Sequence, residues 1–172
     1  MWPQTLALIE ELDAEVPATR RVLERLPAAK FGWRPHPKSL TAGQLAQHVA
    51  SIPGAVARLM QLDGVDLATR PIEYPAAETT PQLLATLEAS VAAQREMLAS
   101  LDPARGNGIW RMSFGEHQVF ALPRLRVIRA MAFNHWYHHR GELLVYLRLM
   151  DVAVPAVYGK SADEVPFAAM TR

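Results

Sequence analysis

The sequence has 172 residues, of which half are hydrophobic and a fifth are charged, and its formal net charge is +1. This balance predicts one folded domain, residues 1–172, and excludes a disordered chain. The near-neutral charge argues against nucleic-acid binding, and no apolar stretch is as long as a membrane span. The absence of cysteine excludes disulfides, thiolate ligands and a cysteine nucleophile. The N-terminal residues do not resemble a signal peptide, so a cytoplasmic location is expected.

Four segments have apolar residues at helical spacing, and the residues between them contain helix breakers. The first helix is predicted at about residues 3–26, and a loop rich in proline and aromatic residues follows at 31–38. The second helix is predicted to begin at the N-cap Thr41 and to end near Leu62. Pro53 is expected to kink or break this second helix.

The second half of the sequence predicts two further helices and an insert between them. A linker at 63–79 leads to the third helix, which has Thr80 as its predicted N-cap and extends to about Leu98. Glycines at 106–120 indicate a short irregular segment or hairpin. The fourth helix is predicted at about 123–150 and is followed by an irregular tail. Together these elements predict an all-α protein, an up-down-type four-helix bundle with a short irregular or hairpin insert before the last helix.

Three of the six histidines lie close together on the predicted fourth helix, at His135, His138 and His139. Residues four apart share one helix face, so His135 and His139 can bind one metal ion. With about 100° per residue, both lie on the apolar side of the helix, whereas His138 points away from it. His48 lies on the apolar stripe of the second helix and supplies a third ligand. An equally open interpretation is that these histidines are hydrogen-bonded in the core.

Several stretches of the sequence together resemble proteins of the DinB-like family. The stretches are RPHPKSLT at 34–41 with QLAQH at 44–48, PRLRVIR at 123–129 with NHWYHHRG at 134–141, and VPAVYGKSADE at 154–164. The resemblance covers most of the chain. It implies a four-helix bundle, often dimeric, with a divalent metal bound by residues at the positions of His48, His135 and His139.

Four further residues are candidates to orient a ligand or to line the site. Glu142 stands where relatives usually have glutamine, one helical turn beyond His139. Three roles are open for Glu142, because it can orient a ligand imidazole, act as a fourth ligand or pair with an arginine. The other candidates are His36, Gln44 and Tyr146. No catalytic residue is assigned.

Three neutral imidazoles would leave coordination positions open on a zinc, nickel or iron ion, which is typical of catalytic sites. An open position can take either water or a thiol, and the ligand set does not distinguish the two. The resemblance to DinB-like proteins, some of which act with low-molecular-weight thiols, implies a metal-dependent transferase or isomerase that uses such a thiol. One alternative is a hydrolase using metal-bound hydroxide, and another is a non-catalytic, metal-stabilised, stress-related binding protein. The expected partners are a small-molecule substrate and a second copy of the chain, without nucleic acid or membrane.

Overall fold

The structure is a computed structural model that describes residues 1–70 and 72–165. The α-helices are α1 (Pro3–Glu24), α2 (Ala42–Leu59), α3 (Thr80–Ser100), α4 (Pro103–Asn107), α5 (Arg124–Ile128) and α6 (His135–Leu149). A π-helix (Arg129–Asn134) joins α5 and α6 into one helical run, and a 3₁₀ turn (Ala28–Lys30) follows α1. The strands are β1 (Gly64–Asp66), β2 (Ile109–Phe114) and β3 (His117–Pro123).

The long helices surround the hydrophobic core. Helix α1 packs on α3, α3 on α2, α2 on α6, and α6 on α1. Their inner faces bury large side chains almost completely, among them Leu12, Leu23, Leu87, Phe133 and Trp136. The mostly helical character predicted from the sequence is therefore confirmed. Across the described residues, no helix combines the length and the apolar content that crossing a membrane requires.

The all-α prediction is wrong in one respect, because the structure contains a three-stranded sheet in the order β1-β2-β3. Strands β2 and β3 form an antiparallel hairpin within the segment predicted to be an irregular or hairpin insert. Gly115 lies in its turn with a φ of 59°, a conformation that favours glycine. Strand β1 pairs in parallel with β2 and lies in the predicted linker. Its three residues are too few for an alternating pattern to be recognised.

The N-terminus of α3 differs from the prediction by one residue. The N-cap is Thr79 and not Thr80, because the Thr79 hydroxyl accepts a hydrogen bond from the backbone amide of Gln82. The Gln82 side chain in turn accepts from the Thr79 amide, which completes a capping box. The N-cap predicted at Thr41 is confirmed, and Gln44 is its capping-box partner.

Pro53 lies inside α2 without ending it, so of the kink or break expected at this residue the break is wrong. A proline has no backbone N–H, and the carbonyl of Val49, four residues earlier, therefore lacks its usual helical donor. The indole Nε1–H of Trp136 donates to this buried carbonyl at 2.9 Å. A hydrogen bond between α2 and α6 thus replaces one that the proline removes from α2.

Arginine side chains cap the C-terminal end of α2. Arg124, which is 3 % exposed, donates to the carbonyl of Met60 at 2.8 Å and to the carboxylate of Asp63 at 2.8 Å. Arg105 donates to the carbonyl of Gln61 at 2.9 Å. Cationic groups at this end also interact favourably with the helix dipole. These contacts attach the end of α2 to α4 and to the start of α5.

The C-terminal residues 151–165 form no helix or strand, as predicted, and return to α1. The contact is made through Arg140, which is 2 % exposed and pairs with the Glu15 carboxylate at 2.7 Å. Arg140 also donates to the hydroxyls of Thr19 at 3.0 Å and Tyr158 at 2.6 Å. This buried, fully paired cation connects α6, α1 and the tail.

The bond between Trp136 and Val49 predicts an energetic coupling with Pro53. Trp136→Phe leaves the buried Val49 carbonyl unpaired, which costs about 1–3 kcal/mol in addition to the lost packing. In a Pro53→Ala background the new amide supplies a helical donor, so Trp136→Phe should cost less there. Urea unfolding of the wild type, the two single variants and the double variant measures this difference in free energy. Equal costs in the two backgrounds would contradict the proposed compensation.

Gly54 predicts a second, sterically controlled effect on stability. A Cβ at Gly54 would lie 2.9 Å from the Cα of Ser90, so Gly54→Ala forces α2 away from α3 and should cost about 1–3 kcal/mol. Gly141 is an exposed helical glycine with nothing within 4 Å of the same position. Gly141→Ala should therefore stabilise the protein, by up to about 1 kcal/mol. Thermal and urea unfolding measure the change in the free energy of unfolding for each variant. Changes of the same sign in Gly54→Ala and Gly141→Ala would contradict this prediction.

Candidate metal centre

The Nε2 atoms of three histidines converge between α2 and α6. The Nε2 atom of His135 lies 3.3 Å from that of His48 and 2.7 Å from that of His139. The potential ligand atoms of all three lie within 4.8 Å of one another. Nitrogens bound tetrahedrally to zinc are about 3.3 Å apart. The Nε2 atoms of His48 and His135 already have this separation, and those of His135 and His139 would need to move apart by about 0.6 Å. The three nitrogens therefore fit one metal ion.

Local structure explains why the three rings meet. His135 and His139 are four residues apart on α6 and therefore share a face. His48 directly precedes Val49, and His135 directly precedes Trp136, so the indole–carbonyl bond holds the two backbones together beside the rings. The π-helix that ends at Asn134 adds about one residue per turn and sets the rotation at which α6 begins.

Burial favours the neutral form of His48 and His135. Desolvation, together with neighbouring His139 and His135, lowers the pKa of His48 from 6.5 to about 4. Burial and the proximity of His139 also lower the pKa of His135. The neutral ring is the form that binds metal, so these nitrogens carry lone pairs at neutral pH without first losing a proton.

Glu142 lies on the opposite side of the His139 ring from the cluster. Its Oε2 atom is 2.6 Å from Nδ1 of His139, and its Oε1 atom is 3.1 Å from Nε2 of His138. Because a carboxylate only accepts, Nδ1 of His139 donates to it, and the lone pair is left on Nε2, which faces His135. The carboxylate thus orients the ring with its Nε2 towards the cluster.

The other two roles left open for Glu142 find no support in the described residues. Arg140 is paired with Glu15, and Arg148 is paired with Asp163, so neither arginine is the partner of Glu142. No carboxylate oxygen in the described part of the chain lies within 4.8 Å of all three histidine nitrogens.

The remaining candidates surround the cluster or lie away from it. Gln44 donates its side-chain N–H to the carbonyl of Tyr74 at 3.1 Å, and Tyr146 donates its hydroxyl to the carbonyl of Leu40 at 3.2 Å. Neither has a hydrogen bond to a histidine among the described residues. His36 is exposed in its loop and does not join the three clustered histidines.

Tyr74 is a neighbour of the cluster that the sequence analysis did not indicate. Its ring meets that of His48 edge-on, with centroids 5.1 Å apart. The bond from Gln44 to its carbonyl holds the segment in this position. A single tyrosine in an irregular segment has no periodic pattern, so the sequence contained no signal for this contact.

Solved structures of three bacterial proteins resemble the fold. A DinB-like protein from Bacillus cereus has a TM-score of 0.66 and 20% identity, over 87% of this chain and 94% of that protein. A DinB-like protein from Bacillus subtilis has a TM-score of 0.64 and 16% identity, over 94% and 96%. A protein assigned to the DinB family from Exiguobacterium sibiricum has a TM-score of 0.61 and 21% identity, over 95% and 98%. At these identities the likeness concerns the fold alone.

The sequence itself supplies the family assignment. No protein of curated function is similar enough to this chain to count as a match. The sequence profile of the DinB family matches residues 1–166, which is nearly the whole chain. The resemblance inferred from the loop, the histidine helix and the tail is confirmed, and the chain belongs to the DinB family.

Proposed function

We propose that this up-down-type four-helix bundle binds one divalent transition metal through His48, His135 and His139, and acts as a transferase or isomerase that uses a low-molecular-weight thiol. The observation that carries the proposal is the convergence of three Nε2 atoms from two helices. A histidine that only stabilises the core needs one hydrogen-bond partner, whereas here three imidazole nitrogens lie together in one small space.

The composition of the donor set supports a site with room for a substrate. Three neutral nitrogens leave coordination positions open and do not compensate the charge of the ion. When bound, such a metal supplies a Lewis acid that lowers the pKa of a coordinated thiol or water. Imidazole ligands are compatible with zinc, nickel and iron. The chain contributes the orientation of the rings, through Glu142 and through the Trp136–Val49 bond.

Two considerations favour a thiol over water as the nucleophile. A thiol coordinated to such a metal would lose its proton outright, whereas the pKa of zinc-bound water falls only to about 7. A hydrolase would also be helped by a general base, and the carboxylate of Glu142 is hydrogen-bonded to Nδ1 of His139, behind the ring. The chain contains no cysteine, so the thiol has to be brought by a second small molecule.

The thiol proposal predicts an activity that depends on His48. Zinc-loaded protein, incubated with a panel of cellular thiols and 1-chloro-2,4-dinitrobenzene, should form a thioether. His48→Ala removes one of three ligands and should lower this rate by about a hundredfold or more. His138→Ala is the matched control, because His138 is an exposed neighbour outside the cluster, and it should retain the rate. A rate unaffected by His48→Ala would overturn the proposal.

The same preparation separates the other functions. Ester hydrolysis that needs no thiol and stops on chelation would assign the protein as a hydrolase. Zinc binding that raises the unfolding temperature without any turnover would assign a metal-stabilised binding protein. If the protein binds neither zinc, nickel nor iron, the metal-centre proposal fails altogether.

Glu142 predicts an effect on metal affinity that does not depend on turnover. Glu142→Gln replaces the charged acceptor of the His139 Nδ1–H bond by a neutral one, and should weaken zinc binding by about tenfold. His138→Gln removes the other contact of the same carboxylate and should leave the affinity unchanged. Competition with a chromogenic chelator measures both affinities. Equal affinity of Glu142→Gln and wild type, with unchanged circular dichroism, would argue against the orienting role.

A further inference from the structure

A cavity of about 540 Å³ is lined by residues of α2, of strands β1 and β2, of the segment 67–72 and of the π-helix. Helix α2 contributes Ala55 and the π-helix contributes Met131 to its lining. Ala55 follows His48 by seven residues and Met131 precedes His135 by four, which are close to two turns and one turn of helix. Ala55 therefore lies about 10 Å beyond His48 along α2, and no histidine is among the described residues that line the cavity.

A short segment before α3 connects the cavity to the cluster. Ile72 lines the cavity, and Tyr74, two residues later, has its ring against that of His48. The side chain of Gln44 holds the carbonyl of Tyr74. The segment 72–74 thus leads from the cavity to the histidine cluster.

The lining is apolar except at two arginines, Arg58 and Arg70. Among the described residues no acidic side chain lines the cavity, and the guanidinium groups of Arg58 and Arg70 make no hydrogen bond or ion pair there. Arg58 is ten residues beyond His48 on α2, which places its Cα about 15 Å further along the helix. Arg58 therefore lies further from His48 along α2 than Ala55 does, whereas Arg70 lies two residues before Ile72, on the segment that leads to Tyr74.

We propose that this cavity binds a small molecule with an apolar body of medium length and a carboxylate, held with the carboxylate at Arg58 and Arg70. The volume lies within the range of about 300–1,000 Å³ found for small-molecule sites. The apolar lining accommodates the body, and the two guanidinium groups complement the carboxylate. The proposal rests on the proposed function only in making this molecule the substrate, since the binding itself needs no metal.

Calorimetric titration with octanoate and with octanamide, its neutral isostere, tests the proposal on the intact chain. Octanoate should bind one per chain and about tenfold more tightly than octanamide. A double variant, Arg58→Gln with Arg70→Gln, should bind the two ligands equally. Arg126→Gln is the control for a change of charge, because Arg126 is exposed and does not line the cavity. Ala55→Phe and, independently, Met131→Trp should fill the cavity and abolish binding of both ligands.

Three results would overturn the proposal. The first is no saturable binding of octanoate by folded wild type, and the second is equal binding of octanoate and octanamide. The third is octanoate binding that persists in both Ala55→Phe and Met131→Trp. If octanoate does not bind and sedimentation shows a dimer that Ala55→Phe dissociates, the cavity belongs to a second copy of the chain. Zinc binding is measured separately, so selective octanoate binding without zinc binding would sustain the cavity while the proposed function fails.

Discussion

The hydrogen bond from the Trp136 indole to the Val49 carbonyl is the contact on which the candidate site depends. It exists because Pro53 has no amide to offer that carbonyl, and a buried carbonyl without a donor is costly. Its two ends lie one residue after His48 and one residue after His135. The bond that pairs the Val49 carbonyl therefore also sets the distance between α2 and α6 at the level where the imidazoles meet.

The environment around this contact serves both stability and the candidate chemistry. Burial among apolar side chains stabilises the helices, and it also lowers the pKa of His48, so that the ring is neutral. The charged partner, Glu142, lies behind the His139 ring and acts through Nδ1 without occupying a position among the three Nε2 atoms. Ala55 of α2 and Met131 of the π-helix line the cavity. The histidine cluster and the cavity thus both take residues from α2 and from the last helical run.

Local patterns in the sequence predicted the helices and the pairing of His135 with His139, because both depend on helical period alone. They could not predict how the break expected at Pro53 is avoided, because the compensating donor, Trp136, is far away in sequence. The contact between Tyr74 and His48 depends on tertiary packing, and so does the three-residue strand β1. Neither feature produces a periodic pattern in the sequence. The sequence also left the role of Glu142 open, because that role depends on the tertiary ion pairs of Arg140 with Glu15 and of Arg148 with Asp163.

X-ray absorption spectroscopy of zinc-loaded protein, before and after addition of excess thiol, tests the central claim most directly. We predict three imidazole nitrogens at about 2.0–2.1 Å from zinc, and one additional sulfur at about 2.3 Å once thiol is present. Because the chain has no cysteine, a thiolate sulfur at that distance can come only from the added thiol. Fewer than three imidazoles around zinc, or an unchanged spectrum after thiol addition, would contradict the proposed thiol-binding metal centre.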